Sequence, residues 1–123
     1  MQTDKRILII DDDEDLSFVI SDMLESYGYQ VTSVTNGDEA FSLLSEHTYH
    51  LILLDINLPD ITGFELCKEL RRVSTVPVIF ASARTSETDR ISSFDIGGDD
   101  YLPKPYSMQE LLSRVNALIP NYN

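Results

Sequence analysis

The chain has 123 residues, twenty-one acidic side chains against nine basic ones, a formal net charge of −12 and a single cysteine. That length suits one domain, the charge argues against a nucleic-acid grip, which needs a basic face, and a lone Cys67 cannot close an internal disulfide. No apolar run reaches the roughly 18 residues of a transmembrane helix, and MQTDKR at the start lacks the apolar core of a signal peptide, so the expectation is a cytoplasmic domain over 1–123 with no membrane contact, residues 120–123 being a tail or the start of a linker.

Two kinds of segment alternate along the chain. Ile7 to Ile10 is a short apolar run, followed by Leu16, Val19, Ile20, Met23, Leu24 and Tyr27 at helical spacing, with Gly28 as the stop. Residues 29–34 are β-prone but half polar, and Asn36-Gly37 leads into a helix carrying Ala40, Phe41 and Leu44. Leu51 to Leu54 is fully apolar and ends at Asp55. Pro59 and Gly63 mark a turn before Phe64, Leu66, Cys67 and Leu70. Residues 76–80 read as a fourth strand. Ser86 to Asp89 reads as a helix start, with Ile91, Phe94 and Ile96 behind it. Residues 100–103 form a short last strand, and Ser107 to Glu110 has the form of a capping box ahead of Leu111, Leu112, Val115, Leu118 and Ile119.

Strict strand–helix alternation over five units predicts an α/β fold in which helical crossovers cover both faces of a parallel sheet. The most apolar runs, 7–10, 51–54 and 76–80, belong in the middle. The more polar 29–34 and 100–103 belong at the edges, where Pro103 costs no ladder bond. Order 2-1-3-4-5 satisfies this: a five-stranded, doubly wound, flavodoxin-like (βα)5 sheet.

Ligands of such sheets bind beyond the carboxyl ends of the strands. After the first strand come Asp11 and Asp12, after the third Asp55, after the fourth Ser82, and after the fifth Lys104. Carboxylates clustered at strand ends suit a hard divalent cation such as Mg²⁺, which keeps several waters and takes phosphate oxygens as further ligands. Asp55, closing a central strand, is the candidate nucleophile, since a carboxylate can accept a phosphoryl group; the metal and Lys104 would offset the charge. Asp13, Glu14 and Asp15 have a simpler role, as cap and dipole residues at a helix start. Cys67 is read as a small buried apolar residue, and His47 and His50 lie away from the cluster.

The stretches "ILIIDDDEDL", "LILLDINLPDITGFEL", "VPVIFASA" and "GGDDYLPKPYS" together resemble the receiver domain of bacterial two-component response regulators, over about residues 5 to 119. The resemblance implies a phosphorylation-activated switch. Asp55 accepts phosphate from a sensor histidine kinase. Asp12 is a direct Mg²⁺ ligand, Asp11 supports the metal through water, and Asn57 offers its backbone carbonyl; Mn²⁺ or Ca²⁺ can substitute. Lys104 pairs with the phosphoryl oxygens, often next to a cis Lys104–Pro105 bond. Ser82 and Tyr101 stand at the switch positions, and Asn57 and Arg84 where members tune phosphoryl lifetime. Such a domain is not an enzyme in its own right, although it assists its own phosphorylation and dephosphorylation.

The "DDY" at 99–101 and "KPYSMQEL" at 104–111 are most similar to the OmpR/PhoB class, whose receivers precede a DNA-binding domain. That resemblance implies a phosphorylation-dependent homodimer on the helix 4–strand 5–helix 5 face, pairing Arg90 with Glu110 and Asp100 with Arg114. DNA is touched only through a C-terminal effector domain. The pattern departs from the class at Asn116, which leaves Asp95 without a basic partner, at Gly98 in place of alanine, and at Pro103 before Lys104. Three other readings compete: a stand-alone receiver acting through protein contacts, a small Mg²⁺-dependent phosphatase using the D-x-D of Asp11 and Asp13, and a flavodoxin-type electron carrier.

Overall fold

The computed structural model describes residues 4–83 and 86–119. Five strands and five helices alternate: β1 (Arg6–Ile10), α1 (Glu14–Ser26), β2 (Gln30–Val34), α2 (Gly37–Glu46), β3 (Leu51–Asp55), α3 (Gly63–Leu70), β4 (Val78–Ser82), α4 (Glu87–Ile96), β5 (Asp100–Pro103) and α5 (Met108–Leu118). All strand pairs are parallel and the order is β2-β1-β3-β4-β5, as the polarity of the runs predicts. Every residue of β3 and β4 is buried, whereas β2 is mostly exposed. Strands covered on both faces need no alternation; an edge strand does.

The pleat sends alternate residues to two cores. Ile7, Ile9, Leu51, Leu53, Ile79 and Leu102 meet Ile20 and Leu24 of α1 and Leu111 and Val115 of α5. Leu8, Ile10, Ile52, Leu54 and Phe80 meet Ala40 of α2 and Leu66, Cys67 and Leu70 of α3. Each fully buried aliphatic or Phe side chain contributes about 1.5–3 kcal/mol. Helix starts are set by Asp13, Asn36, Thr62, Ser86 and Ser107, whose side chains each accept a backbone N–H of the first turn. Thus Asp13 is the N-cap of α1 and Glu14 and Asp15 lie in its first turn, as read from sequence.

Several expectations need correction. Val19 and Tyr27 are about half exposed or more, at 50% and 60%, because α1 turns only Ser17, Ile20 and Leu24 fully inward. Phe41 likewise lies at the surface. The fourth strand runs 78–82 rather than 76–80: the Pro77 carbonyl already accepts from Ile52 N–H, but the ladder begins at Val78. Ser82 is therefore the last residue of the strand rather than the residue after it. Gly98 has a physical reason, since a Cβ there would sit 2.6 Å from the Phe80 ring. The large side chain of β4 occupies the volume that a methyl at 98 would need.

Two ties close the fold around α4 and α5. Arg71, after α3, donates from Nε and Nη2 to the carbonyl of Gly97 at the end of α4, at 2.9 and 2.7 Å, and pairs with Asp99 at 3.1 Å. The hydroxyl of Tyr29 donates to Asn116 Oδ1 at 2.6 Å, so Asn116 is engaged within the chain. Arg84 and residues 120–123 lie outside the described residues.

Candidate functional site

The parallel sheet delivers four strand ends to one edge of the molecule. Asp55 closes β3 and is only 5% exposed; Asp11 directly follows β1 and is 4% exposed. Between them stands Lys104, after β5, held there by its backbone N–H donating to the Ser82 carbonyl at 2.8 Å. The Lys104 ammonium donates to Asp11 Oδ2 at 2.9 Å and to Asp55 Oδ2 at 3.3 Å. Consecutive aspartates behind an apolar strand repel one another and resist desolvation, and the ammonium offsets both effects. A partly buried cation sits among the inward-facing carboxylates, and Asp12 and Asp13 turn outward. The peptide between Lys104 and Pro105 is cis.

The remaining lone pairs of the buried carboxylates are also directed. Asp11 Oδ1 accepts from Asp13 N–H at 2.9 Å, and Asp55 Oδ1 from Asn57 N–H at 3.1 Å. Burial pushes the Asp55 carboxyl above its ordinary range, and the Asp11 charge adds to this. The Asn57 amide and the Lys104 ammonium oppose the rise without cancelling it. Burial works against the Lys104 ammonium, but the hydrogen bond and charge of Asp11, then those of Asp55, outweigh it and hold the proton more firmly than usual.

Carboxylate oxygens of Asp11, Asp12 and Asp55 all lie within 4.8 Å of one another. An all-oxygen donor set of this kind fits Mg²⁺, Mn²⁺ or Ca²⁺ rather than a thiophilic metal. Both Asp11 oxygens are already engaged in the chain, whereas the exposed Asp12 carboxylate makes no hydrogen bond to the described residues. That division suits Asp12 as a direct ligand and Asp11 as a support. Asn57 is exposed on the loop between β3 and α3, bridged to Thr62, so its backbone borders the cluster.

Ser82 is fully buried at the end of β4, and Tyr101 is 5% exposed in β5, facing the second core. The face beyond them is less closed. Ile91 and Phe94 of α4 are 47% and 43% exposed, and Leu112 of α5 is half-buried. Arg114 pairs within its own chain, with Asp100 at 2.6 Å and Glu110 at 3.1 Å. The Glu110 carboxylate thus reaches Arg114, while the capping bond of that helix is the one from Glu110 N–H to Ser107 Oγ. Arg90 is exposed on α4. His47 caps the end of α2, and His50 bonds to the backbone of Arg6 at the opposite end of the sheet, both away from the cluster.

Sequence reasoning read Gly63 only as a turn residue and passed over Asp60 and Tyr106, all three of which shape this site. Gly63 opens α3, where any Cβ would collide with the Asp55 carbonyl oxygen. Only the absence of a side chain lets α3 start so close to the end of β3. Asp60 bonds back to the start of α2. Tyr106 buries its hydroxyl without a partner among the described residues, and burial together with the charges of Asp11, Asp55 and Asp13 pushes that phenol up. A glycine directly before an apolar helix was a visible signal for the first; nothing local marked the other two.

Residues 7–116 match the family described as "Response regulator receiver domain". The chain is 41% identical over 114 residues to a transcriptional regulatory protein, a CpxR homolog, of Haemophilus influenzae, covering 93% of this chain and 50% of that protein. It therefore spans about half the length of that curated relative. Among solved structures it is similar to a two-component response regulator from Clostridium difficile, at 34% identity and a TM-score of 0.92, covering 97% of this chain and 98% of that one. It is also similar to a Francisella response regulator receiver domain, at 36% identity and a TM-score of 0.90, covering 94% and 97%. No helix among the described residues is long and apolar enough to cross a membrane.

Proposed function

Since this chain belongs to the response regulator receiver domain family, we propose that it accepts a phosphoryl group on Asp55 from a phosphohistidine of a sensor histidine kinase, with Mg²⁺ bound, and thereby switches the output of a transcription regulator. The observation that carries this reading is the buried Asp55 carboxylate at the end of a central strand, 3.3 Å from the Lys104 ammonium and within a cluster of three carboxylates. In the transfer an Asp55 oxygen forms the new bond to phosphorus. The bond from phosphorus to the kinase imidazole breaks, and its electron pair stays on the nitrogen. Asp12, Asp55 and the Asn57 carbonyl would hold the metal, with Asp11 behind them, and the bound ion supplies charge to the transferring oxygens. Lys104 leaves part of its pairing with Asp55 to meet the phosphoryl oxygens. The domain performs no turnover on an outside substrate in this reading, which its membership of the receiver family supports over the phosphatase and electron-carrier readings.

The switch follows from burial. A phosphoryl group brings new acceptor oxygens to a place where the nearby Ser82 hydroxyl can donate. Moving that hydroxyl frees volume beside Tyr101, and the α4–β5–α5 face responds as a two-state element. The similarity to a CpxR homolog of twice the length supports a continuation beyond this receiver, taken as one unit over 1–123, into a DNA-binding effector. The exposed Ile91 and Phe94 with half-buried Leu112 support a phosphorylation-dependent dimer on that face, joined by Arg90, Glu110, Asp100 and Arg114. Arg114 would have to exchange its internal partners for those of the second copy. A stand-alone receiver signalling through protein–protein contacts is the second reading.

Incubation with a small phosphodonor such as acetyl phosphate is the test. With Mg²⁺ present, intact-mass spectrometry should show one added phosphoryl group, and chelation of the metal should suppress it. Labelling that is indifferent to the metal would contradict the proposal.

A further inference from the structure

We infer that Asp60 is the positioning residue of the β3–α3 loop: it fastens the segment that carries Asn57 to the first turn of α2, and so fixes the backbone edge of the metal site. The inference rests on the reading of the Asp55 cluster given above and deepens it. Residues 56–62 leave the end of β3 and return to it, since Gly63 N–H donates to the Ile56 carbonyl at 2.8 Å. A closed loop of that kind is fixed at its neck, and its crown needs a separate hold. Asp60 provides it. Its Oδ1 accepts from Gly37 N–H at 2.8 Å and its Oδ2 from Asp38 N–H at 3.0 Å, two amides of the start of α2 that no turn of helix precedes. Those amide hydrogen bonds, the one from Gly37 first, hold the Asp60 carboxyl below its ordinary range against the effect of burial.

The neighbouring residue completes the fit. A Cβ on Gly37 would run into the side chain of Ile61, so the crown of the loop packs into the space that glycine leaves. Asn36 already caps α2 through Glu39 N–H, so Asp60 is not needed as the cap. The carboxylate adds a bond between elements 23 positions apart in sequence. Groups behind a metal site that hold its ligands in place are typically worth about 10–100-fold in metal affinity. Linkage makes the effect mutual: whatever the clasp contributes to metal affinity, the metal returns to the clasp.

The test uses the whole domain and Mg²⁺ alone. Calorimetric titration should give a dissociation constant about tenfold weaker for Asp60→Ala than for the wild type. Asp60→Asn keeps one acceptor oxygen and should fall between them. Gly37→Ala, which displaces Ile61 from the other side, should weaken binding too, and the double variant with Asp60→Ala should be little weaker than either single one. Amide exchange supplies a readout without metal: the Gly37 and Asp38 amides should exchange faster in Asp60→Ala, and Mg²⁺ should slow them in the wild type. Wild-type Mg²⁺ binding with equal affinity in Asp60→Ala would overturn the role of Asp60 while sparing the metal site. No Mg²⁺ binding by the wild type would overturn both. Should Asp60→Ala fail to fold, the Asp60→Asn comparison decides, and equal affinity there rejects the clasp.

Discussion

Replacing Lys104 by Met keeps most of the side-chain volume and removes the charge that separates Asp11 from Asp55. In the folded protein the ammonium lies 2.9 Å from one carboxylate oxygen and 3.3 Å from the other. At an effective dielectric of about 20 those distances correspond to attractions of about 6 and about 5 kcal/mol. Returning the ammonium to water offsets several kcal/mol of this, and its side chain is already 20% exposed. Removal of one partner from a buried pair commonly costs about 3–5 kcal/mol, and the partial exposure puts this case at the lower end, at about 3 kcal/mol. Urea unfolding at neutral pH without metal should therefore show a markedly lower midpoint for the variant at unchanged slope. The deficit must shrink as the pH falls. Without Lys104 the Asp55 carboxyl, already raised by burial and by Asp11, rises further. A group raised in the folded state loses its stabilising contribution as pH rises through its folded pKa, so the deficit is full above that pKa and fades below it. Mg²⁺ should also stabilise the variant more than the wild type, since a cation then does the work of the ammonium. Equal midpoints without metal, or a deficit independent of pH, would refute the electrostatic account of this cluster.

Other perturbations test the neighbouring parts. Asp12→Ala should weaken Mg²⁺ binding in a calorimetric titration and raise the metal-free unfolding midpoint slightly, by removing one like charge from the cluster. Gly63→Ala should destabilise the domain by about 1–3 kcal/mol in the same urea experiment, because the new methyl must push α3 away from the end of β3. Beryllofluoride should convert a weakly associating protein into a dimer in sedimentation, and Phe94→Ala should weaken that dimer more than any single charge change, since exposed pairs contribute only about 0–1 kcal/mol each. Arg114→Glu is the poorer probe, because Asp100 and Glu110 hold that side chain within its own chain and the change disturbs the monomer as well.

The sheet was legible because burial writes itself into composition. Leu51 to Leu54 is apolar throughout as it is covered on both faces, and β2 is half polar as it is an edge. Strand order followed from that contrast, and the strand-end cluster followed from strand order. The limits of β4 were less legible, since β-branched Val76 prolongs the apolar run across Pro77 and only the ladder shows that pairing starts at Val78. Val19 and Tyr27 fit a helical stripe, but among the described residues nothing covers that flank of α1. The hold of Asp60 on α2 and that of Arg71 on Gly97 join residues more than twenty positions apart, and no spacing rule could pair them. The partners of Arg114 show the same limit in another way: charges that resemble an interchain set are satisfied internally in the single chain.

The central claim concerns the position of one covalent bond. Treatment with acetyl phosphate and Mg²⁺, followed by borohydride, reduces an aspartyl phosphate to homoserine, and peptide mass mapping then reads the modified position directly. The account predicts homoserine at position 55, none at Asp11 or Asp12, and none anywhere in Asp55→Ala. Homoserine at Asp11 or Asp12 in the wild type, or undiminished phosphorylation of the Asp55→Ala protein, would contradict it.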